Sequence, residues 1–468
     1  MTPLSVFEFD GIDRRRAAGL ASQSAAHVAR NLVLNSAKVW RTRPGTRRVY
    51  ACPPQSRGLY SGAGVLRTVV PSFVPSAAAF QRPELWLDQI EGPEPIDRFV
   101  DAAIYGPPVA IGALPYLAVQ RNGQMQHHWC TSRPMSIGDP VQTRVATRFE
   151  PRANLLRMAG RLFAIASAAN DVRFSSVEFG PSDWETLGDA GFLPVRNNAT
   201  GDASPVWLSH FRDRMVVLFD SQIQVWHVDP DPAEMALVDT LNGPGTQEGP
   251  LTQNVIGDLL FFSRGGFRSL TTQAITGEIR EGDIGAPIAD LTDGMAGGVT
   301  SVWWQRQGVY LAAIGGRVFV FIYNPSSKVT GWSEWAFPFP VEHFAVVSNE
   351  LYIRSGDDVY HVSDQYDTDD GLPIGWEWQS QHFHARSPGV LKSFKALTLN
   401  QRGQGEVLIA PDFNEPSLVV PVGAAANNTL SWGKIPMNVL SEAAALVLRG
   451  TGRWKLDGIT LHYDPLGV

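Results

Sequence analysis

The strongest pattern along the chain is a recurring unit: a polar turn, four or five residues rich in β-formers, a tight turn, and a second such run. The unit reads as a β-hairpin. It occurs at Gly160-Arg161 ahead of residues 162–165, at Asp213-Arg214 ahead of 215–218, and at Gly257-Asp258 ahead of 259–262. Two more copies follow, at Gln307-Gly308 ahead of 309–312 and at Asn349-Glu350 ahead of 351–354. Their first apolar residues lie 53, 44, 50 and 42 positions apart, close to the roughly 40 to 50 residues of one propeller blade. A weaker copy stands at 116–119, and Leu59-Tyr60 is a candidate start of another. Gly265-Gly266, Gly315-Gly316 and Asp357-Asp358 fall between paired runs, where the chain must reverse sharply. Residues 317–323 are apolar almost throughout, as expected of a strand covered on both faces between neighbouring blades.

After about residue 364 the character changes. The acidic, Gly/Pro-containing stretch 364–373 reads as a solvated linker, and it leads into candidate strands at 394–399, 406–409, 418–422, 444–448 and 459–463. Five such strands with longer polar loops suit a β-sandwich. The first fifty residues carry no hairpin period, and residues 22–34 fit either one short helix or an extended arm. The expected fold class is all-β. Residues 1–55 read as a basic arm or platform segment, 56–363 as a β-propeller, and 364–468 as a β-sandwich-like platform that N-terminal segments join. The period suits about six or seven blades.

Composition supports a packed interior. Of 468 residues 44% are hydrophobic and only 18% charged, enough apolar surface to offset the entropy of ordering the chain. The net charge of −7 hides an asymmetry, because nine basic residues face three acids in the first fifty positions. That end carries +6 and the remainder −13. A basic end on an acidic body can grip an acidic partner or nucleic acid, while the body repels phosphate. Arg14, Arg15, Arg16, Arg43, Arg47 and Arg48 are the candidate contacts, with a merely solubilising arm as the alternative. Cys52 and Cys130 are too few for a disulfide scaffold, which points to a reducing compartment. No signal-peptide core and no apolar stretch of membrane-spanning length is read.

No phosphate loop, dinucleotide fingerprint, nucleophile elbow or zinc-protease helix occurs, so neither an enzyme nor a cofactor is expected. A propeller can still assemble carboxylates from separate blades, as glycoside cleavage requires. His127-His128 with Cys130 supplies three potential ligands without a partner cluster and reads as ordinary strand and turn. His382 and His384 alternate onto one strand face without a matching pair. Asp364, Asp367, Asp369, Asp370 and Gly371 miss the calcium-loop spacing, the glycine falling one position early. Trp303-Trp304, Trp332 with Trp335, and Trp376 with Trp378 suit blade cores or subunit interfaces, with sugar-stacking platforms as the alternative.

One set of segments carries a family resemblance. Residues 171–176, followed by Gly180-Pro181-Ser182-Asp183-Trp184, resemble the hairpin and G-x-x-x-W segment of tail nozzle proteins of short-tailed bacteriophages, also called packaged-DNA stabilisation or tail hub proteins. Asn31-Leu32 ahead of Arg43-Pro44-Gly45 is similar to that family's N-terminal opening. Residues 209–218 leading to 223–226 resemble its blade opening, and 452–461 the strand pattern that ends many virion β-domains. The resemblance implies a structural virion protein assembled in the host cytoplasm: a homo-oligomeric ring, a hexamer, below the portal or adaptor connector. Such a ring conducts and gates genome DNA without sequence specificity and docks tail fibres or spikes. A carbohydrate-binding or glycoside-cleaving propeller is the competing reading.

Overall fold

A computed structural model describes residues 2–15, 22–52, 56–62, 65–71, 85–90, 103–104, 109–111, 114–121, 124–130, 141–145, 149–181, 183–243, 245–272, 279–297, 300–324, 329–385, 387, 389–412, 415, 417–425 and 434–466. Five of the recurring units become five successive antiparallel blades, spanning 151–193, 205–242, 253–282, 300–335 and 343–363. Each expected apolar run is the second strand of its blade: Arg161–Ala166, Arg214–Phe219, Asp258–Ser263, Val309–Ile314 and Glu350–Ser355. Arg161–Ala166 and Val309–Ile314 are buried at every position. Such strands cannot alternate because a neighbouring blade covers each face.

The ring closes on itself. The first strands of consecutive blades touch in order, Pro151–Met158 on Pro205–Phe211, then Gln253–Val255, Thr300–Trp304 and His343–Val347. An eight-stranded sheet drawn from residues 57–145 completes the circle, its strand Arg57–Gly62 against His343–Val347 and Gln124–Cys130 against Pro151–Met158. All-β propeller is thus the fold.

At the 343–363 blade the fourth strand comes from the other end of the chain. Gly45–Ala51 pairs antiparallel with Asp358–Ser363 and then leads toward Arg57–Gly62, so the seam is clasped by main-chain hydrogen bonds. Leu59, Leu66 and Val359 bury together there, stabilising the seam by roughly 1.5–3 kcal/mol per side chain. Arg354, buried in the same place, donates to the carbonyls of Gly58, Ser56 and Gly356 and to Thr68 Oγ1. Within this blade the reversal uses Gly356 at φ 56°, with Asp358 already in the strand, one residue earlier than the Asp357-Asp358 pair suggested.

The short helix or extended arm expected over 22–34 is instead a pair of strands built into the sheets. Residues 22–34 yield the strands Ala26–Arg30 and Leu32–Leu34, broken at Asn31, which adopts φ 56°. Asparagine tolerates that conformation because its side chain can replace local backbone partners. Here Asn31 Nδ2 donates to Gly375 O (2.6 Å) and its Oδ1 accepts from Ala336 N (2.7 Å). The kink sends the two strands into different sheets.

Those sheets make the platform. Leu32–Leu34, Trp40–Thr42, Lys455–Pro465, Lys392–Arg402 and Ile435–Ser441 line up in one, with Thr2–Val6 also on Lys455–Pro465. Ala26–Arg30 splices the other: it pairs parallel with Val329–Trp335 of a blade and antiparallel with Gly375–Ser380, beyond which lie Ala445–Thr451, Gly405–Ala410 and Val420–Ala425. Propeller and sandwich therefore share one nine-stranded sheet and one core, in which Trp332, Trp335, Trp378, Phe394 and Leu456 are all buried.

A row of charges crosses that shared sheet. Glu334, Arg30, Glu377, Arg449 and Glu406 are successive cross-strand partners with alternating sign. Arg30 lies 3.7 Å from Glu377 and Arg449 2.8 Å from Glu406, while Glu334 takes both forks of Arg317 at 2.9 and 2.6 Å. Opposite charges on facing positions favour this register.

Candidate functional site

The loop that leaves the strand Asp171–Phe174 and returns as Gly191–Leu193 is held from within. Asp189 Oδ2 accepts from Ser176 Oγ and from the amides of Val177 (3.0 Å) and Glu178 (2.9 Å). Asp183 Oδ1 accepts from the amides of Glu185 (2.9 Å) and Thr186 (3.1 Å). Trp184 turns inward, 5.3 Å edge-on from Phe149 and packed with Leu155, Leu162 and Ala164. Beneath the loop, Arg161 is buried and donates to Ser175 O (2.8 Å), to Asp189 O and to Pro230 O (2.6 Å), and its Nη2 lies 2.8 Å from Asp189 Oδ1. The Ser176 hydroxyl, then the Glu178 amide, hold the Asp189 carboxyl far below the usual range.

This scaffold displays apolar side chains to solvent. Leu187 is 96% exposed, Phe179 62%, Phe192 60% and Val177 47%. Three large apolar groups on one braced loop, with Phe192 on the strand that follows it, form a surface that loses little conformational entropy on docking. Sequence reasoning singled out Asp183 and Trp184 but not these four. The available signal was the presence of Val177 and Phe179 in a turn-rich stretch.

The six candidate arginines part company. Arg43 is fully buried and donates to Asn31 Oδ1 (2.9 Å), Pro44 O (2.9 Å), Ala336 O (2.7 Å) and both oxygens of Asp369 (2.9 and 2.5 Å). Its guanidinium also stacks 4.3 Å from the centre of the Phe337 ring. All five donors are used, so Arg43 is a lock between segments and offers no surface to a partner. Gly45 follows from the same packing, since a Cβ there would lie 2.4 Å from Thr368 O. Arg14 is paired with Asp290 (3.0 Å), and Arg15 with Asp13 (2.9 and 2.6 Å). Arg47 and Arg48 are exposed on the clasping strand, Arg48 lying 3.4 Å from Asp358. Arg16 lies outside the described residues.

Several other expectations are corrected. The stretch 364–373 is no solvated linker, because Asp369 is 4% exposed and its neighbours form a short hairpin on the last blade. His382 and His384 lie past the end of the strand Gly375–Ser380, and burial pushes His382 down. His127 is buried with Nε2 donating to Ala153 O at 2.7 Å, while the side chains of His128 and Cys130 lie outside the described residues. Trp304, Trp332, Trp335, Trp376 and Trp378 are all at most 3% exposed. Three of their indoles donate to backbone, Trp304 to Asn349 O, Trp332 to Ile284 O and Trp335 to Leu32 O. They are core, leaving Trp303, partly buried, as the exception.

Comparison with known proteins yields likeness of structure alone. No family model and no curated protein matches. Among solved structures, a Lactobacillus plantarum protein aligns with TM-score 0.37 at 10% identity, over 58% of this chain and 79% of its own. BamB from Moraxella catarrhalis aligns with TM-score 0.32 at 13% identity, over 69% of this chain and 97% of its own. The β-propeller domain of Cps50 (Swd1) from Myceliophteria thermophila aligns with TM-score 0.34 at 6% identity, over 53% and 79%. No helix among the described residues is long and apolar enough to cross a membrane.

Proposed function

We propose that this chain is a non-enzymatic structural subunit that works by forming interfaces, and specifically the tail nozzle of a short-tailed bacteriophage. In this reading it forms a homo-oligomeric ring, six-fold by the resemblance, below the portal or adaptor connector. Genome DNA passes through the ring, and fibres or spikes dock outside it. The observation that supports the reading is the 175–190 loop. The segment carrying the family resemblance is rigidly braced and presents Phe179 and Leu187 outward, as a subunit contact requires. The charge of −13 beyond the first fifty residues also suits a lumen along which phosphate slides without adhering.

The carbohydrate reading needs exposed aromatic platforms, and the tryptophan pairs proposed for that role are buried except for Trp303. Mass photometry and electron microscopy of the purified protein, alone and with a connector protein, test the nozzle reading. A closed ring that docks on the connector is the expected result, and Phe179→Asp with Leu187→Asp should shift it toward monomer with unchanged circular dichroism. A monomer that ignores the connector overturns the proposal.

A further inference from the structure

A second charged row crosses the other platform sheet, and it does not alternate. Arg41 faces Lys455, and Lys455 faces Arg402, across the strands Trp40–Thr42, Lys455–Pro465 and Lys392–Arg402. Directly opposed residues of antiparallel strands share one face with Cβ atoms about 4.5–5.5 Å apart, and like charges so placed repel. Arg453, two residues before Lys455, joins them at the rim of a cleft of about 470 Å³ between platform and propeller. Lys455 is 2.5 Å from Asp457, Arg41 is 3.5 Å from Asp364, and Arg453 is paired with Asp367. Arg402 is exposed and has no carboxylate within ion-pair distance among the described residues. Gly403 fixes its position. At φ 104° it brings the turn against Arg453, and a Cβ there would lie 2.5 Å from Arg453 O.

We propose that this cleft binds a phosphate-class oxyanion, with Arg402, Lys455 and Arg453 as its ligands. The neighbouring sheet shows that the fold can satisfy a row by alternation. Here Asp364, Asp367 and Asp457 answer Arg41, Arg453 and Lys455 from the side, two of them within the cleft lining, and Arg402 is left over against Lys455 at its mouth, a local conflict that a bound anion would relieve. Three cations at one cleft, two from adjacent strands and Arg453 from the segment just before one of them, match a tetrahedral dianion, which offers acceptors in several directions. One carboxylate offers a single planar fork. The site is independent of the ring reading, since it lies within one subunit.

Isothermal titration of the full-length protein, at constant ionic strength in chloride, tests it with inorganic phosphate, pyrophosphate and a short single-stranded DNA oligonucleotide. Saturable binding of at least one phosphate probe is expected, weakened tenfold or more by Arg402→Glu and by Lys455→Gln. Arg449→Glu, on the alternating row, should leave it unchanged. Binding of the oligonucleotide without the small anions assigns the phosphate to a nucleic-acid backbone, and binding of the small anions assigns it to a free ligand. No saturable binding overturns the proposal, as does binding of a polyglutamate peptide alone or binding untouched by both variants. Near-UV circular dichroism of each variant separates loss of the site from loss of the fold.

Discussion

The two platform sheets carry charged rows of opposite logic. In the sheet shared with the propeller, Glu334, Arg30, Glu377, Arg449 and Glu406 alternate across five strands that come from three distant parts of the chain. In the other sheet, Arg41, Lys455 and Arg402 stand side by side with like sign. The first row reinforces the register that joins two bodies, and the second works against its own register. Stability therefore accounts for one row and not for the other.

The largest test concerns Arg43, whose charge is fully matched although it sits two residues from Arg41. Removing one member of a buried pair leaves the other uncompensated, so Arg43→Ala should cost about 3–5 kcal/mol in urea denaturation. A cost below about 1 kcal/mol, the range of a surface pair, would place Arg43 with the exposed cations.

Acid tests the strand Ala26–Arg30, which carries Arg30 of the alternating row. Burial lowers His27, three residues before Arg30, to about 4, with Arg14 and then His382 adding repulsion and Asp290 opposing it. The unfolded chain binds this proton near pH 6.5 and the folded chain only near 4, so stability falls as pH drops through that window. With solvent screening, the loss should be about 2 kcal/mol. His27→Gln should remove this part of the slope, measured as the difference between denaturation midpoints at pH 7 and 4.5.

Swapping signs should have opposite effects in the two rows. Glu377→Lys makes Arg30, position 377 and Arg449 all cationic and should destabilise by about 1 kcal/mol at low salt, less at high salt. Arg402→Glu places an acid opposite Lys455 and should stabilise the ligand-free protein by a few tenths of a kcal/mol. If both substitutions destabilise in urea titrations, the contrast between the rows does not hold.

How much of this was readable in advance follows from contact distance along the chain. The second strands of the five blades were legible because each is a short apolar run between turns, and its partners are the strands just before and after it. The N-terminal segment was not, because its partners lie far away: Asn31 bonds Gly375, and Arg43 bonds Asp369, over 300 residues later. An arginine-rich stretch of strands three to seven residues long has no period to betray it. The same holds for the 175–190 loop, where Trp184 was visible but the exposure of Leu187 was not.

By itself the sequence determined the repeated hairpins, the all-β class and the wealth of apolar side chains that the blades bury, since these depend on local propensity and period. Tertiary structure decided which arginine is a buried lock, which charges alternate and which repel, and where the ring is clasped. Each of those depends on register between strands far apart in the chain, and a shift of one residue would send every side chain to the opposite face.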